Sequence, residues 1–357
     1  MNPNHYVVIM AGGIGSRFWP VSRQKLPKQF IDIMGTGKSL ITQTYERFSK
    51  IVAPQNIFIV TNNKYVGMVQ EHVKGISLDN ILSEPTPRNT APCVALASHK
   101  IKSINPDGVC IIAPSDHLIL EESEFHKHVL KAFGYADQSD MLITFGIEPS
   151  RPDTGYGYIQ KQSKDQHEDL FAVKTFTEKP TEEIAKEFIE TGEFLWNAGI
   201  FCWSIKTILN RFEEFLPEMQ DSFAQIDFNS PQCESDILKT YETCQSISLD
   251  YGILEKDKNV FVLPSSFGWS DLGTWKSLWE VLPKENSNSF VTDKKFVSDS
   301  KDNLVFSKNN KMIVLHGVSN LVIVEDDDVI LVMDKNREQE LRKVVGEIKK
   351  ANPGEYN

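Results

Sequence analysis

The chain has 357 residues, a formal net charge of −11, 40% hydrophobic and 24% charged residues. This is the profile of a soluble globular protein with room for two or three domains, and its acidic balance argues against a broad nucleic-acid-binding face. No apolar run approaches the ~20 residues of a membrane-spanning helix, and no charged-then-apolar leader precedes Tyr6. The five cysteines lack C-x-x-C spacing and read as buried thiols in a reducing, cytoplasmic compartment.

The first apolar run, Tyr6-Val7-Val8-Ile9-Met10, predicts a buried strand of a parallel sheet. It runs directly into Ala11-Gly12-Gly13-Ile14-Gly15-Ser16-Arg17-Phe18-Trp19-Pro20, followed by Leu26-Pro27-Lys28-Gln29-Phe30. Three glycines in four positions let backbone N–H groups approach a ligand closely and form a nest for an anion, phosphate being the usual guest. Arg17 adds a planar fork of donors and Lys28 a point charge. Residues 1–31 hold Arg17, Arg23, Lys25 and Lys28 and neither Asp nor Glu. Such a positive island in an acidic chain focuses a small polyanion. Phe18 stands where a dinucleotide-binding fingerprint needs its third glycine. Asp32 stands where a P-loop ending in Gly37-Lys38-Ser39 needs its first. Residues 35–39 therefore read as a turn leading to a helix N-cap.

Helical patterns over 40–50, 65–74, 90–104 and 122–136 alternate with strand-like runs over 56–61, 80–83 and 109–113. This alternation predicts a parallel sheet covered on both faces, with ligands bound beyond the carboxyl ends of its strands. One loop there is Glu84-Pro85-Thr86-Pro87-Arg88-Asn89-Thr90-Ala91-Pro92. Its prolines end the strand and Asn89 or Thr90 caps the next helix, leaving Arg88 and the first helical N–H groups to face a ligand. The next loop is Ala113-Pro114-Ser115-Asp116-His117. A carboxylate directly after a core strand is costly to bury without a cation, so Asp116 is either an Asx-turn residue or a cation ligand, with His117 orienting it. His126 and His128, two apart on a helix, do not share a face and are expected on the solvent side.

The middle third is punctuated by glycine, with strands expected over 154–159 and 173–177. Glu178-Lys179-Pro180 fits a solvated turn pair before a helix capped at Thr181. Asn197, inside the apolar run 193–201, must hydrogen-bond something. Asp271, in Gly268-Trp269-Ser270-Asp271-Leu272-Gly273-Thr274-Trp275, is either an N-cap for the helix through Trp279 or a ligand. After the polar linker 284–289, short strands are expected over 303–306, 311–315, 320–325 and 329–334. Asn303-Leu304-Val305 and Asn320-Leu321-Val322 echo at a spacing of 17 residues, a hint of stacked β-coils. Asp326-Asp327-Asp328 reads as a hairpin turn, and 337–350 as a final amphipathic helix.

Ala-Gly-Gly-x-Gly-x-Arg-x-x-Pro-x-Ser from Ala11, with Pro27-Lys28-Gln29-Phe30, resembles the pyrophosphorylase motif of sugar-1-phosphate nucleotidyltransferases. The variant Trp19-Pro20-Val21-Ser22-Arg23 is closest to the bacterial mannose-1-phosphate guanylyltransferase branch. Five further segments carry the resemblance: Pro87 to Pro92, Phe176-x-Glu178-Lys179-Pro180, Asn197-Ala198, Ser248-Leu249-Asp250-Tyr251 and Trp269-Ser270-Asp271. Thr177 and Ala198 depart from the more usual Val and Ser. The resemblance implies an α/β fold: a Rossmann-like α/β/α nucleotidyltransferase domain with a mostly parallel central sheet over 1–284. A small C-terminal β-rich, β-helix-like domain with a terminal helix follows over 285–357, without the isomerase domain of longer members.

It also implies transfer of GMP from GTP to α-D-mannose 1-phosphate, giving GDP-mannose and pyrophosphate by in-line attack on the α-phosphorus. In that scheme Ala11, Gly12, Gly13, Gly15, Ser16, Arg17 and Lys28 hold the nucleotide phosphates. Arg88, Asn89 and Thr90 lie against base and ribose, and Ser115 and Asp116 complete the nucleotide site. Lys179 holds the sugar phosphate, while Glu178, Asn197 and the Gly157 backbone hold the hexose. Asp116 and Asp271 share one Mg²⁺, because two carboxylates meeting without a cation would repel. Arg17, Lys28, Asp116, Lys179 and Asp271 form the catalytic set. The expected partners are these small molecules, without nucleic acid or membrane, and a homodimer is the family's habit. Two other readings are a relative using another sugar 1-phosphate or nucleotide, and a non-catalytic sugar-nucleotide-sensing subunit. The joint presence of the five catalytic residues argues against the second.

Overall fold

The computed structural model describes residues 1–167, 169–309 and 311–356. They form two compact units that interleave along the chain. One comprises Met1–Gly12, Thr44–Ser115 and Ile119–Trp269; the other comprises Gly13–Gln43, Asp116–Leu118 and Ser270–Asn357.

The strands of the first part of the chain are β1 (His5–Ala11), β2 (Ile57–Asn62), β3 (Ile81–Glu84), β4 (Val109–Pro114), the two-residue β5 (Leu118–Ile119), β6 (Leu142–Ile147), β7 (Gly157–His167), β8 (Leu170–Glu178), β9 (Phe194–Ser204) and β10 (Val260–Ser265). All but β5 join a nine-stranded sheet in the order β3-β2-β1-β4-β9-β6-β10-β8-β7, with a further pairing of β7 to β9. β1, β2, β3 and β4 pair in parallel, as do β6 and β10. β9 runs antiparallel to its neighbours β4 and β6, and β8 antiparallel to β10 and β7. Seven of the nine strands thus point the same way, with β9 and β8 reversed. Val7, Val8 and Ile9 in β1 are consecutive and wholly buried, as expected where helices cover both faces.

The helices Thr90–Ile104 and Glu122–Ala136 begin and end where the sequence pattern places them. The pattern predicts neither β6 nor β9. β6 is a short apolar run, which periodicity alone does not assign to strand or helix, and β9 carries Asn197 and Gly199 at its middle. His126 and His128 are half-buried rather than solvent-facing. Each ring bonds a backbone carbonyl, His126 that of Arg47 at 2.9 Å and His128 that of Glu124 at 2.8 Å. Four of the five cysteines are buried and all five are free thiols.

In the second unit the Asp32 carboxylate accepts from the Thr36 and Gly37 amides and closes the turn before the helix Leu40–Ser49. The remaining strands are β11 (Trp269–Ser270), β12 (Ser289–Val291), β13 (Lys295–Ser298), β14 (Leu304–Ser307), β15 (Ile313–His316), β16 (Leu321–Glu325) and β17 (Ile330–Asp334). β12, β14 and β16 stack in parallel, as do β13 and β15, which is the layering of a β-helix. The coils do stack, but not in the register of the echo: Leu304 pairs with Ser289 and with Val322, so Asn303 lies beside Asn288 and Leu321 and not beside Asn320. Asn288 and Asn303 are wholly buried, and the Asn288 side-chain carbonyl accepts from the Asn303 backbone and side-chain amides at 3.0 and 2.9 Å. The Asn303 side-chain carbonyl in turn accepts from Leu321 N–H at 2.9 Å, so each coil satisfies the next coil's backbone. β16 and β17 form the expected hairpin around Asp326–Asp328.

The terminal helix is later than its pattern suggests. Asp334 caps a 3₁₀ turn, Lys335–Glu340, in which Arg337 is non-helical, and the α-helix runs over Leu341–Ala351. Its Leu341 and Val345 are buried in one core with Phe18, Trp19, Trp275 and Leu304. Among the described residues no helix is long and apolar enough to cross a membrane.

Candidate active site

The glycine-rich stretch is built around Lys28. Gly15 has φ +73°, and a Cβ there would collide with the Lys28 side chain, so only glycine fits. Lys28 N–H donates to the Ile14 carbonyl at 3.1 Å, folding the second motif back onto the first. The Lys28 ammonium is buried, which would be costly unpaired. It is satisfied by the Asp116 carboxylate at 2.9 Å and the Asp271 backbone carbonyl at 2.7 Å, and it lies 5.5 Å from the centre of the Phe18 ring. Phe18 is itself held edge-on by Trp275, whose indole N–H donates to the Trp19 carbonyl at 3.1 Å.

Gly15, Ser16, Arg17, Lys28, Asp116 and Asp271 all line one pocket of about 240 Å³. Burial pushes the Asp116 carboxyl up, but the charges of Lys28 and His117 and the Lys28 hydrogen bond outweigh it and hold the group below the usual carboxylate range. Asp116 is therefore an anion, paired with the Lys28 ammonium. Asp271 is not an N-cap: Thr274 caps Trp275–Val281 through a capping box with Ser277. The Asp271 carboxylate instead accepts from Gly273 N–H at 2.8 Å, and a Cβ on Gly273 would lie 2.6 Å from Asp271 Oδ2. Leu272 takes φ +45° to make this turn. The loop thus turns the Asp271 carbonyl to Lys28 while its carboxylate lines the pocket.

No group of three or more His, Cys, Asp or Glu that could hold a metal ion exists among the described residues, so the two carboxylates make no all-protein metal cage. They do fit a hard divalent cation such as Mg²⁺, which is commonly held by one or two carboxylates with water and substrate phosphates.

In the first unit, Gly12 lies beside Glu84, where a Cβ would stand 3.4 Å from Glu84 Oε2. Burial raises the Glu84 carboxyl to about 7, although Tyr241 O–H donates to it at 2.9 Å. Ser115 is buried and bonded through its backbone, its N–H to the Met10 carbonyl and its carbonyl to Thr44 Oγ1. Arg88 and the helix start depart from the expectation. Arg88 donates to the Tyr241 and Glu242 carbonyls at 3.0 and 3.2 Å. The Thr90 amide is taken by the Asn89 side chain at 2.9 Å, the Ala91 amide by the Ile247 carbonyl at 3.1 Å, and Pro92 has no N–H. The first helical donors are therefore consumed within the protein. The Pro-Arg-Asn-Thr-Ala-Pro segment anchors the neighbouring chain through 241–249, which sequence spacing could not reveal.

Gly157, Glu178 and Asn197 converge in the first unit. A Cβ on Gly157 would clash with the Glu178 carboxylate and come within 3.4 Å of Asn197 Cβ. Asn197 Oδ1 accepts from Thr144 Oγ1 at 3.0 Å and Gly199 N–H at 3.1 Å, and its Nδ2 donates to Asp250 Oδ1 at 3.1 Å. Lys179, with φ +50°, is ion-paired to Glu178 and half-exposed. Asp250 joins this cluster, although sequence reasoning assigned it no role. Burial, then the Glu178 charge, raise its carboxyl to about 6. Perturbed carboxyls of this kind gather at functional sites, and Asp250 stands in a segment that already carried the family resemblance. Lys179→Ala should raise KM for the sugar phosphate with a smaller effect on GTP. Unchanged sugar-phosphate kinetics would show Glu178-Lys179 to be no more than a solvated turn pair.

Residues 6–288 match the family model described as nucleotidyl transferase, and residues 294–348 match a MannoseP isomerase/GMP-like β-helix domain. The mannose-1-phosphate guanylyltransferase of Klebsiella pneumoniae is 34% identical over 98% of this chain and 75% of its own length, and that of Escherichia coli is equally similar. The alginate biosynthesis protein AlgA of Pseudomonas aeruginosa is 35% identical over 96% of this chain and 71% of its own. A crystal structure from Thermus thermophilus, described as a mannose-1-phosphate geranyltransferase, superimposes with a TM-score of 0.87 at 28% identity, covering 97% of this chain and 99% of that one. With a nucleotidyl transferase match spanning most of its length and a β-helix match completing it, the chain belongs to the nucleotidyl transferase family and is a nucleotidyltransferase.

Proposed function

We propose that the enzyme transfers the GMP group of GTP to α-D-mannose 1-phosphate, releasing pyrophosphate and forming GDP-mannose. One observation carries this reading: Arg17, Lys28, Asp116 and Asp271 line a single pocket beside the glycine-rich turn. The chemistry is a substitution at the α-phosphorus. A phosphate oxygen of the sugar phosphate forms the new P–O bond as the bond to the β-phosphate bridging oxygen breaks, and pyrophosphate carries away the electron pair. No protein nucleophile is needed, so catalysis rests on positioning and charge.

Each residue then has a task. Arg17 and the loop amides bind the phosphates. Lys28 fixes Asp116 and the Asp271 loop while adding positive charge. Lys179 holds the sugar phosphate, and Glu178, Asn197 and the Gly157 backbone hold the hexose. The family generally works with a divalent metal. We assign it as Mg²⁺, held by Asp116 and Asp271, where it supplies Lewis-acid charge and a template for phosphate oxygens. Residues 1–284 would be the catalytic domain and 285–357 the β-helix-like domain of a cytoplasmic, homodimeric enzyme.

A panel of four nucleotides against several sugar 1-phosphates tests the specificity. GTP should exceed ATP and UTP in kcat/KM, and mannose 1-phosphate should exceed glucose 1-phosphate. Equal or better rates with UTP and glucose 1-phosphate would move the enzyme to a sister activity, and no turnover with any pair would favour a sensing subunit.

A further inference from the structure

The pocket of the glycine-rich turn has a cation that no motif contains. Arg342, the second residue of the terminal helix Leu341–Ala351, lines it together with Arg17, Lys28, Asp116 and Asp271. The placement is set by packing. Leu341 and Phe18 are buried in the same core, and the helix packs on the Ser16–Phe18 turn. Their sequence neighbours Arg342 and Arg17 are thereby brought to one pocket. Neither guanidinium has an ion-pair partner among the described residues, whereas Lys28 is committed to Asp116. The largest influence on Arg342 is the charge of Arg17, which lowers its pKa, with burial second.

Two like charges held together by a packed core repel each other, and a polyanion between them relieves that repulsion. Two planar forks suit a ligand offering two adjacent phosphoryl groups, each able to take a bidentate contact. In the proposed reaction that group is the β,γ end of the nucleoside triphosphate, which departs as pyrophosphate.

We propose that Arg342 is a binding residue for the leaving pyrophosphate, paired across the pocket with Arg17, so that the C-terminal helix contributes directly to the active site. This rests on the nucleotidyl-transfer reading above. It makes the terminal helix part of the chemistry, not only a cover for the core around Phe18.

The test is Arg342→Gln and Arg342→Lys in the full chain, assayed in both directions, with the thermal midpoint recorded. In the reverse reaction, Arg342→Gln should raise KM for pyrophosphate by about 10- to 100-fold, the scale of losing charge-assisted hydrogen bonds. KM for the sugar nucleotide should hardly change. Arg342→Lys should recover part of the loss, because a point charge replaces the fork. Arg342 is exposed, so the midpoint should stay at the wild-type value. Unchanged pyrophosphate KM in Arg342→Gln would overturn the inference, and so would an equal loss for every substrate accompanied by a lower midpoint. If wild-type protein neither releases nor consumes pyrophosphate, the nucleotidyl-transfer reading itself fails.

Discussion

Arg17→Ala should lower kcat by about 10²–10³-fold, the scale of removing one preorganised charge-stabilising donor, while the protein unfolds at its wild-type temperature. The argument lies in how the residue is held. Gly15 at φ +73° and the Phe18 ring under Trp275 fix the Ser16–Phe18 turn from both ends. The backbone that carries Arg17 is therefore fixed beside the pocket before substrate arrives. Loss of the guanidinium uncovers no buried charge, because Arg17 has no ion-pair partner among the described residues. Stability should therefore change by less than about 0.5 kcal/mol. Steady-state kinetics beside a thermal melt check both halves. A variant with near wild-type kcat would remove Arg17 from the catalytic set.

Asp116→Asn and Asp271→Asn should each raise the Mg²⁺ concentration needed for half-maximal activity, and the double variant should lose little more than the worse single one, because the two act as a unit. They are not equivalent probes. Asp271 meets Lys28 through its backbone carbonyl, and its Oδ1 accepts from Gly273 N–H. Asparagine can keep both of these contacts while Asp271→Asn removes the charge of the carboxylate. Asp116→Asn also takes away the anion paired with Lys28 at 2.9 Å, and should cost more in kcat than the metal shift alone explains. Metal titrations of activity, with circular dichroism to confirm the fold, distinguish these outcomes. Normal metal dependence in both variants would sink the assignment.

Much of the framework is legible in the sequence, for local reasons. β1 is an uninterrupted apolar run ending at a glycine cluster, Glu122–Ala136 buries Phe125, Val129, Ala132, Phe133 and Ala136 at helical spacing, and Thr90–Ile104 is a nearly continuous apolar run behind a proline-marked start at Asn89. The Asn303 and Asn320 echo hints at stacked coils, although the repeated backbone-satisfying contact is made by Asn288 and Asn303. What escaped depends on distant pairing. The reversal of β9 between β4 and β6 follows from contacts of high sequence separation, which local pattern does not encode. The same holds for Arg88, whose partners at 241 and 242 lie about 150 residues away. The N-cap at Thr274 rather than Asp271 turns on a positive φ at Leu272, a residue that does not advertise it. Asp250 and Arg342 were hidden for a related reason. Each is an unremarkable charged residue until packing brings Asn197 to one and Arg17 to the other.

The most direct test of the central claim is to follow the phosphorus atoms themselves. Purified protein is incubated with GTP, mannose 1-phosphate and Mg²⁺, and the products are resolved by ³¹P NMR. The account predicts GDP-mannose and pyrophosphate accumulating in equal amounts, with neither formed when either substrate or the divalent cation is withheld. GTP converted to GDP and inorganic phosphate, or mannose 1-phosphate left unchanged while pyrophosphate appears, would contradict it.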